Sequence, residues 1–173
     1  EASPPFRLTS PPKDVRWNGE QWGILTEEGE VVTWPRCGGF AQTAIDGVKI
    51  FRGSHGAWMG VKKDGSLHAW GKDEFAPRRS EGALSDPDSR LTVHAVGGCF
   101  AVLTEAGEVR FWTSSPWSDK GGWGCGDASP QHVFAAVEHQ LRSGVREVAY
   151  TQEREYEDSA WAALKDGGQV VTW

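Results

Sequence analysis

Four stretches of the chain share one alternation of apolar and polar positions, and they superimpose without a gap. They run Trp22–Trp34 (WGILTEEGEVVTW), Trp58–Trp70 (WMGVKKDGSLHAW), Phe100–Trp112 (FAVLTEAGEVRFW) and Trp161–Trp173 (WAALKDGGQVVTW). With the opening aromatic as position zero, an aliphatic stands at position three: Leu25, Val61, Leu103 and Leu164. Glycine follows at position seven (Gly29, Gly65, Gly107, Gly168) and an aliphatic at position nine (Val31, Leu67, Val109, Val170). Trp34, Trp70, Trp112 and Trp173 close the units at position twelve. Two short apolar runs around a tight turn predict a β-hairpin, with glycine supplying the positive φ that the turn needs. Side chains alternate between faces along a strand, so the aliphatics at positions three and nine share one. These residues are the expected core, and the closing Trp is expected to cover a neighbouring unit or the edge of its own.

A third strand-like stretch precedes each hairpin: Val15–Trp17, Val48–Phe51, Thr92–Val96 and Val145–Tyr150. The closing tryptophans lie 36, 42 and 61 residues apart, so the connectors vary while the hairpins do not, as a repeat array tolerates. The last long connector predicts a short amphipathic helix over about 130–142. Ser129 is placed to cap it, Pro130 suits its first position, Val133, Val137 and Leu141 recur every four residues, and Gly144 stops it. Gln152–Asp158 reads as an acidic-rich solvated loop.

Composition sharpens this picture in three places. Ten Trp against two Tyr and one Met point to one residue type reused at an equivalent position. Twenty-two Gly and nine Pro favour short strands and many turns over long helices. A net charge of −6, with no basic run longer than a pair such as Arg78-Arg79, argues against a nucleic-acid partner. The longest apolar run, Val133–Val137, is far short of the roughly 20 residues of a membrane-spanning helix. Docking beside a membrane complex stays open. Glu1 in place of an initiator Met leads us to expect a processed chain or a fragment, and no leader sequence is visible.

Candidate chemistry is sparse. His55, His68, His94, His132 and His139 have no metal-ligand spacing, and no nucleophile elbow or phosphate-binding glycine loop occurs. Gly121–Gly126 is glycine-rich without the Lys or hydroxyl of a phosphate loop, and reads as a flexible connector. Glu27, Glu28, Asp64, Glu105 and Asp166 recur at the hairpin turns, which makes them turn formers rather than catalytic carboxylates. Cys37, Cys99 and Cys125 are odd in number and read as free, partly buried thiols, with a Cys37–Cys125 bridge left open. No metal, cofactor or catalytic set is expected.

The pattern aliphatic-x-x-acidic-Gly-x-aliphatic-x-x-Trp after a Val-x-x-Val strand resembles the repeat of the regulator-of-chromosome-condensation (RCC1-like) family. Trp161–Trp173 is most similar to the divergent algal and bacterial version, as is Val137–Leu141 followed by Val145. The family's usual His before the first hairpin strand is replaced by Gln21, Ala57, Cys99 and Ala160, and the Gly after the closing Trp survives only at Gly71. The Gly-Gln-Leu-Gly connector is absent, and four units stand where seven blades are common.

The resemblance implies an all-β fold of four propeller-blade-like repeats, a partial or small propeller with one helix in a connector. It divides the chain into an extended segment, 1–13, and a repeat domain, 14–173, with units at about 14–34, 48–70, 91–112 and 145–173. No residue matches the family's nucleotide-exchange site, so that activity is not carried over. The expected function is a non-enzymatic protein-binding scaffold with protein partners, an accessory subunit of a larger assembly. The algal likeness points to a soluble chain in a plastid complex such as a photosystem, after transit-peptide removal. The alternative is an enzymatic or small-ligand-binding propeller with a pocket on the blade axis. Four units predict an open arc covered by a partner, unless Pro5–Thr9 pairs with the last hairpin to close it.

Overall fold

The computed structural model describes residues 8–35, 42–54, 56–71, 84, 90–96, 99–113, 130–151 and 160–173. Blade one is a four-stranded antiparallel sheet of β1 (Pro12–Trp17), β2 (Gln21–Thr26), β3 (Val31–Pro35) and β4 (Gln42–Ile45). Three-stranded sheets follow. Blade two holds β5 (Val48–Ser54), β6 (Ala57–Lys62) and β7 (Leu67–Gly71), and blade three holds β8 (Leu91–Val96), β9 (Cys99–Thr104) and β10 (Val109–Thr113). Blade four holds β11 (Val145–Tyr150), β12 (Trp161–Lys165) and β13 (Val170–Thr172). A strand followed by a hairpin therefore recurs four times, and β4 is an addition the repeat did not announce. β1 starts at Pro12, inside the segment expected to precede the repeats.

The hairpin turns sit where the glycines place them. Gly29, Gly65, Gly107 and Gly168 have φ of 96°, 81°, 78° and 81°. Two of these glycines also join one blade to the next, and a third ties down a connector. The carbonyls of Gly29 and Gly107 accept from the N–H of Val48 (2.9 Å) and Val145 (3.0 Å), the first residues of the following blades. The Gly65 carbonyl accepts from Leu84 in the connector at 3.0 Å. Ile45, Leu84 and Leu141, all buried, plug the arc beside these latches.

The core is three blade-to-blade seams. Leu25 and Val31 of blade one pack with Val48, Phe51 and Trp58 of blade two. Met59, Val61 and Leu67 meet Val93, Phe100 and Val102 of blade three. Ala101 and Val109 meet Val145, Val148 and Trp161 of blade four. Each fully buried aromatic here is worth about 1.5–3 kcal/mol in transfer terms, so the seams hold the blades in line. In blades two and four the closing Trp covers the opening aromatic of its own blade: Trp70 stacks on Trp58 (6.3 Å, 17°) and Trp173 on Trp161 (6.0 Å, 17°).

Helix α1 (Pro130–Val137) runs into a 3-10 turn at Glu138–Gln140, and Gly144 takes φ 69° before β11. Phe134 is buried and stacks on Phe111 (5.2 Å, 26°), so the helix caps the blade three–four seam. Cys99 is disulfide-bonded, which corrects its reading as a free thiol; its partner lies outside the described residues. An odd cysteine count leaves one thiol over without forbidding one bridge. Cys37, Cys125, His55, Arg78-Arg79, Pro5–Arg7, Gly121–Gly126, Ser129 and Gln152–Asp158 also lie outside the described residues, as does the Val133 side chain.

Candidate protein-binding surfaces

Burial within the repeat changes at the two ends of the array. At position nine Val31, Leu67 and Val109 are buried, whereas Val170 is 60% exposed. At position three Leu25 and Val61 are buried, but Leu103 and Leu164 are only half-buried. The expectation of one uniformly buried face therefore needs correcting. Leu103 meets the small Val145 and Val148 where Leu25 meets Phe51 and Trp58, and Leu164 has no described blade beyond it. At position twelve Trp112 is buried, while Trp34, Trp70 and Trp173 are half-buried. Gly29, Gly65 and Gly107 are buried and Gly168 is exposed.

The opposite end behaves the same way. Strand register puts Val15, Phe51, Val93 and Val148 at one equivalent site, each facing position two of its hairpin. Phe51, Val93 and Val148 are buried against the preceding blade, but Val15 of blade one is 50% exposed. Trp58, Phe100 and Trp161 are buried at position zero, yet Trp22 is 43% exposed and leans on Trp17, itself 38% exposed (ring centroids 5.2 Å). Val15, Trp17, Trp22 and Val170 are the four exposed large hydrophobics among the described residues, and all lie on the two end faces. Isolated exposed apolar residues are ordinary, but these four cluster on two faces that no described blade covers.

A second feature lies along the first strands, which run side by side, β1 against β5 and β5 against β8. One register position there carries Arg16, Arg52, His94 and Ala149 in turn. The Arg16 Nε donates to Asp14 Oδ2 at 2.9 Å, and Arg52 Nη1 lies 3.5 Å from the same oxygen. Burial and the neighbouring Arg16 lower the Arg52 pKa, opposed by Asp14 and Tyr150. Burial, then the charge on Arg52, pushes His94 below its ordinary value, and its ring meets Tyr150 edge-on at 5.9 Å. The carboxylate that both guanidinium groups engage is that of Asp14 itself. Sequence reading missed it because the repeat was aligned on the hairpins; aligning the first strands would have put Arg16, Arg52 and His94 in one column.

The turn carboxylates sit as turn formers do. Glu27, Glu28, Asp64, Glu105 and Asp166 are exposed, and Asp64 Oδ1 accepts from the Ser66 N–H (2.9 Å) and hydroxyl (2.6 Å). Those two bonds lower its pKa. Among the described residues no group of His, Cys, Asp or Glu could hold a metal, and no helix is long and apolar enough to cross a membrane.

No family model and no curated protein matches the chain. Solved structures do. Human WBSCR16 is 19% identical (TM-score 0.50), covering 96% of this chain and 48% of its own. Prp20p from Saccharomyces cerevisiae, described with its binding to Gsp1p and histones, is 14% identical (TM-score 0.54, 98% and 46%). Yeast RCC1 (Prp20) bound to Kap60 is 15% identical (TM-score 0.51, 92% and 42%). The fold is RCC1-like, and the chain spans less than half the length of each of these structures.

Proposed function

We propose that this chain is a non-enzymatic protein-binding module, an arc of RCC1-like blades whose two end faces dock other protein surfaces. The carrying observation is that Val15, Trp22 and Val170 are exposed at register sites that are buried in the other blades, with Trp17 exposed beside Trp22. An apolar blade face is built to be covered by another blade or its mimic, because its strands and aromatics match that shape. Prp20p and yeast RCC1 have the same fold, and the partners named with them are proteins: Gsp1p, histones and Kap60. In this reading the chain is an accessory subunit of a larger assembly. The likeness of its last repeat to algal sequences makes a plastid complex, such as a photosystem, the specific candidate.

Native mass spectrometry of the protein drawn gently from its source cells tests the reading. A defined assembly well above 18.9 kDa is expected. A lone chain, with Trp22 open to solvent at cellular concentration, would overturn it.

A further inference from the structure

The two end faces are the halves of a seam that the chain already builds once. At the blade three–four seam, the outgoing face presents Ala101, Leu103, Gly107 and Val109 at positions one, three, seven and nine. The incoming face of blade four answers with Val148, Tyr150 and Trp161. The outgoing face of blade four, which no described blade covers, carries Ala162, Leu164, Gly168 and Val170 at those four positions, the same residue types in the same order. The incoming face of blade one, likewise covered by no described blade, carries Val15, Trp17 and Trp22, a Val and a Trp matched in kind and one aromatic replacing another. The aromatic pairs also agree in placement: Tyr150–Trp161 at 5.0 Å and 38°, Trp17–Trp22 at 5.2 Å and 50°.

The other seams are cut differently. Blade one sets Gly23 under Phe51 and Trp58, where a Cβ would come within 2.7 Å of Phe51, and blade two sets Met59 opposite Val93 and Phe100. Ala162 thus leaves for Val15 and Trp22 the room that Ala101 leaves for Val148 and Trp161.

We propose that a second copy of this chain covers both faces: blade four of each copy docks on blade one of the other, joining two arcs into one ring. The proposal rests on the protein-binding reading above and names its partner. Head-to-tail contacts close when the rotation per subunit divides the circle. Each copy spans 42–48% of the length of the RCC1-like structures it matches, so two copies supply about one such protein's worth of blades. Two differences make the new seam weaker than its template. Pro12 has no N–H to offer the Gly168 carbonyl, where Val145 donates to Gly107. Thr172 stands at the position of Phe111, whose ring meets Trp161 edge-on at 5.2 Å. The dimer is therefore reversible.

Sedimentation equilibrium of the 173-residue chain over about 1–100 µM tests this, a range that brackets a reversible interface. The expected mass rises with concentration from 18.9 kDa to twice that value. Trp22→Arg and Val170→Arg sit on opposite faces, and a head-to-tail ring uses each face in both of its seams. Each variant alone should hold the chain monomeric through the series. Circular dichroism and an unchanged urea midpoint at 1 µM or below, about where the dimer has dissociated, show that both variants fold. A monomer at every concentration overturns the proposal, and so does a dimer that survives either substitution. Neither result touches the protein-binding reading, which stands or falls on native mass spectrometry.

Discussion

Gly107→Ala and Gly168→Ala form a matched pair that isolates the seam between blades. Both glycines close a hairpin turn with nearly the same positive φ, 78° and 81°, so an added Cβ strains the turn by about 1 kcal/mol in each. Their surroundings differ. A Cβ on Gly107 would lie 2.7 Å from the backbone nitrogens of Gly144 and Val145 and 2.9 Å from the Val145 carbonyl oxygen. A Cβ on Gly168 meets nothing within 4 Å. Backbone cannot swing aside as a side-chain tip can, so β11 must move away from the turn. Overpacking of that kind costs about 1–3 kcal/mol, and stretching the Val145 N–H···O=C Gly107 bond adds about 1–3 kcal/mol. Gly107→Ala should therefore cost about 3–7 kcal/mol and Gly168→Ala about 1 kcal/mol. Urea unfolding followed by tryptophan fluorescence, on dilute protein with the two variants side by side, reads the difference. Equal midpoints would refute the latch, because the φ strain common to both would then be the whole effect.

Three further outcomes follow from the same seams. Leu25→Ala should cost about 2–5 kcal/mol by urea unfolding, and Leu164→Ala distinctly less, since Leu25 is buried and Leu164 half-exposed. Gly23→Ala should destabilise the blade one–two seam and perturb near-UV circular dichroism, because its Cβ would press on Phe51 (2.7 Å) and Trp58 (2.9 Å); an unchanged spectrum and midpoint would count against that packing. Burial and Arg52 hold His94 below its ordinary 6.5, so in mildly acidic solution the unfolded chain binds a proton that the folded chain refuses. Stability is then full above about pH 6.5 and falls as the pH drops below it. His94→Gln should flatten that fall, leaving the share of His68, which burial and Lys62 also lower; an unaltered profile would show that His94 titrates normally.

The hairpins were legible because each is a local object. An apolar run, a turn glycine and a second apolar run fix Leu25, Gly29 and Val31 relative to one another without reference to the rest of the chain. Their burial was not legible in the same way. Val31 and Val170 have identical local sequence, Val-Val-Thr-Trp, yet one is buried and the other exposed, because burial depends on whether a blade follows. β4 was missed because Gln42–Ile45 belongs to a connector with no counterpart in the other units. The disulfide at Cys99 was missed because pairing depends on which connectors meet in space. The row of Asp14, Arg16, Arg52 and His94 emerged only from strand register, which one-residue slips in the first strands conceal.

Hydroxyl-radical footprinting of the tryptophans puts the open arc to its most direct test. Trp22, Trp58 and Trp161 occupy the same register site in three blades, so their reactivities compare like with like. In dilute protein Trp22 should oxidise readily while Trp58 and Trp161, both almost fully buried, stay protected. In the assembled state Trp22 should become as protected as the other two. Protection of Trp22 in the isolated monomer, or undiminished reactivity within the assembly, would contradict an arc that binds through its ends.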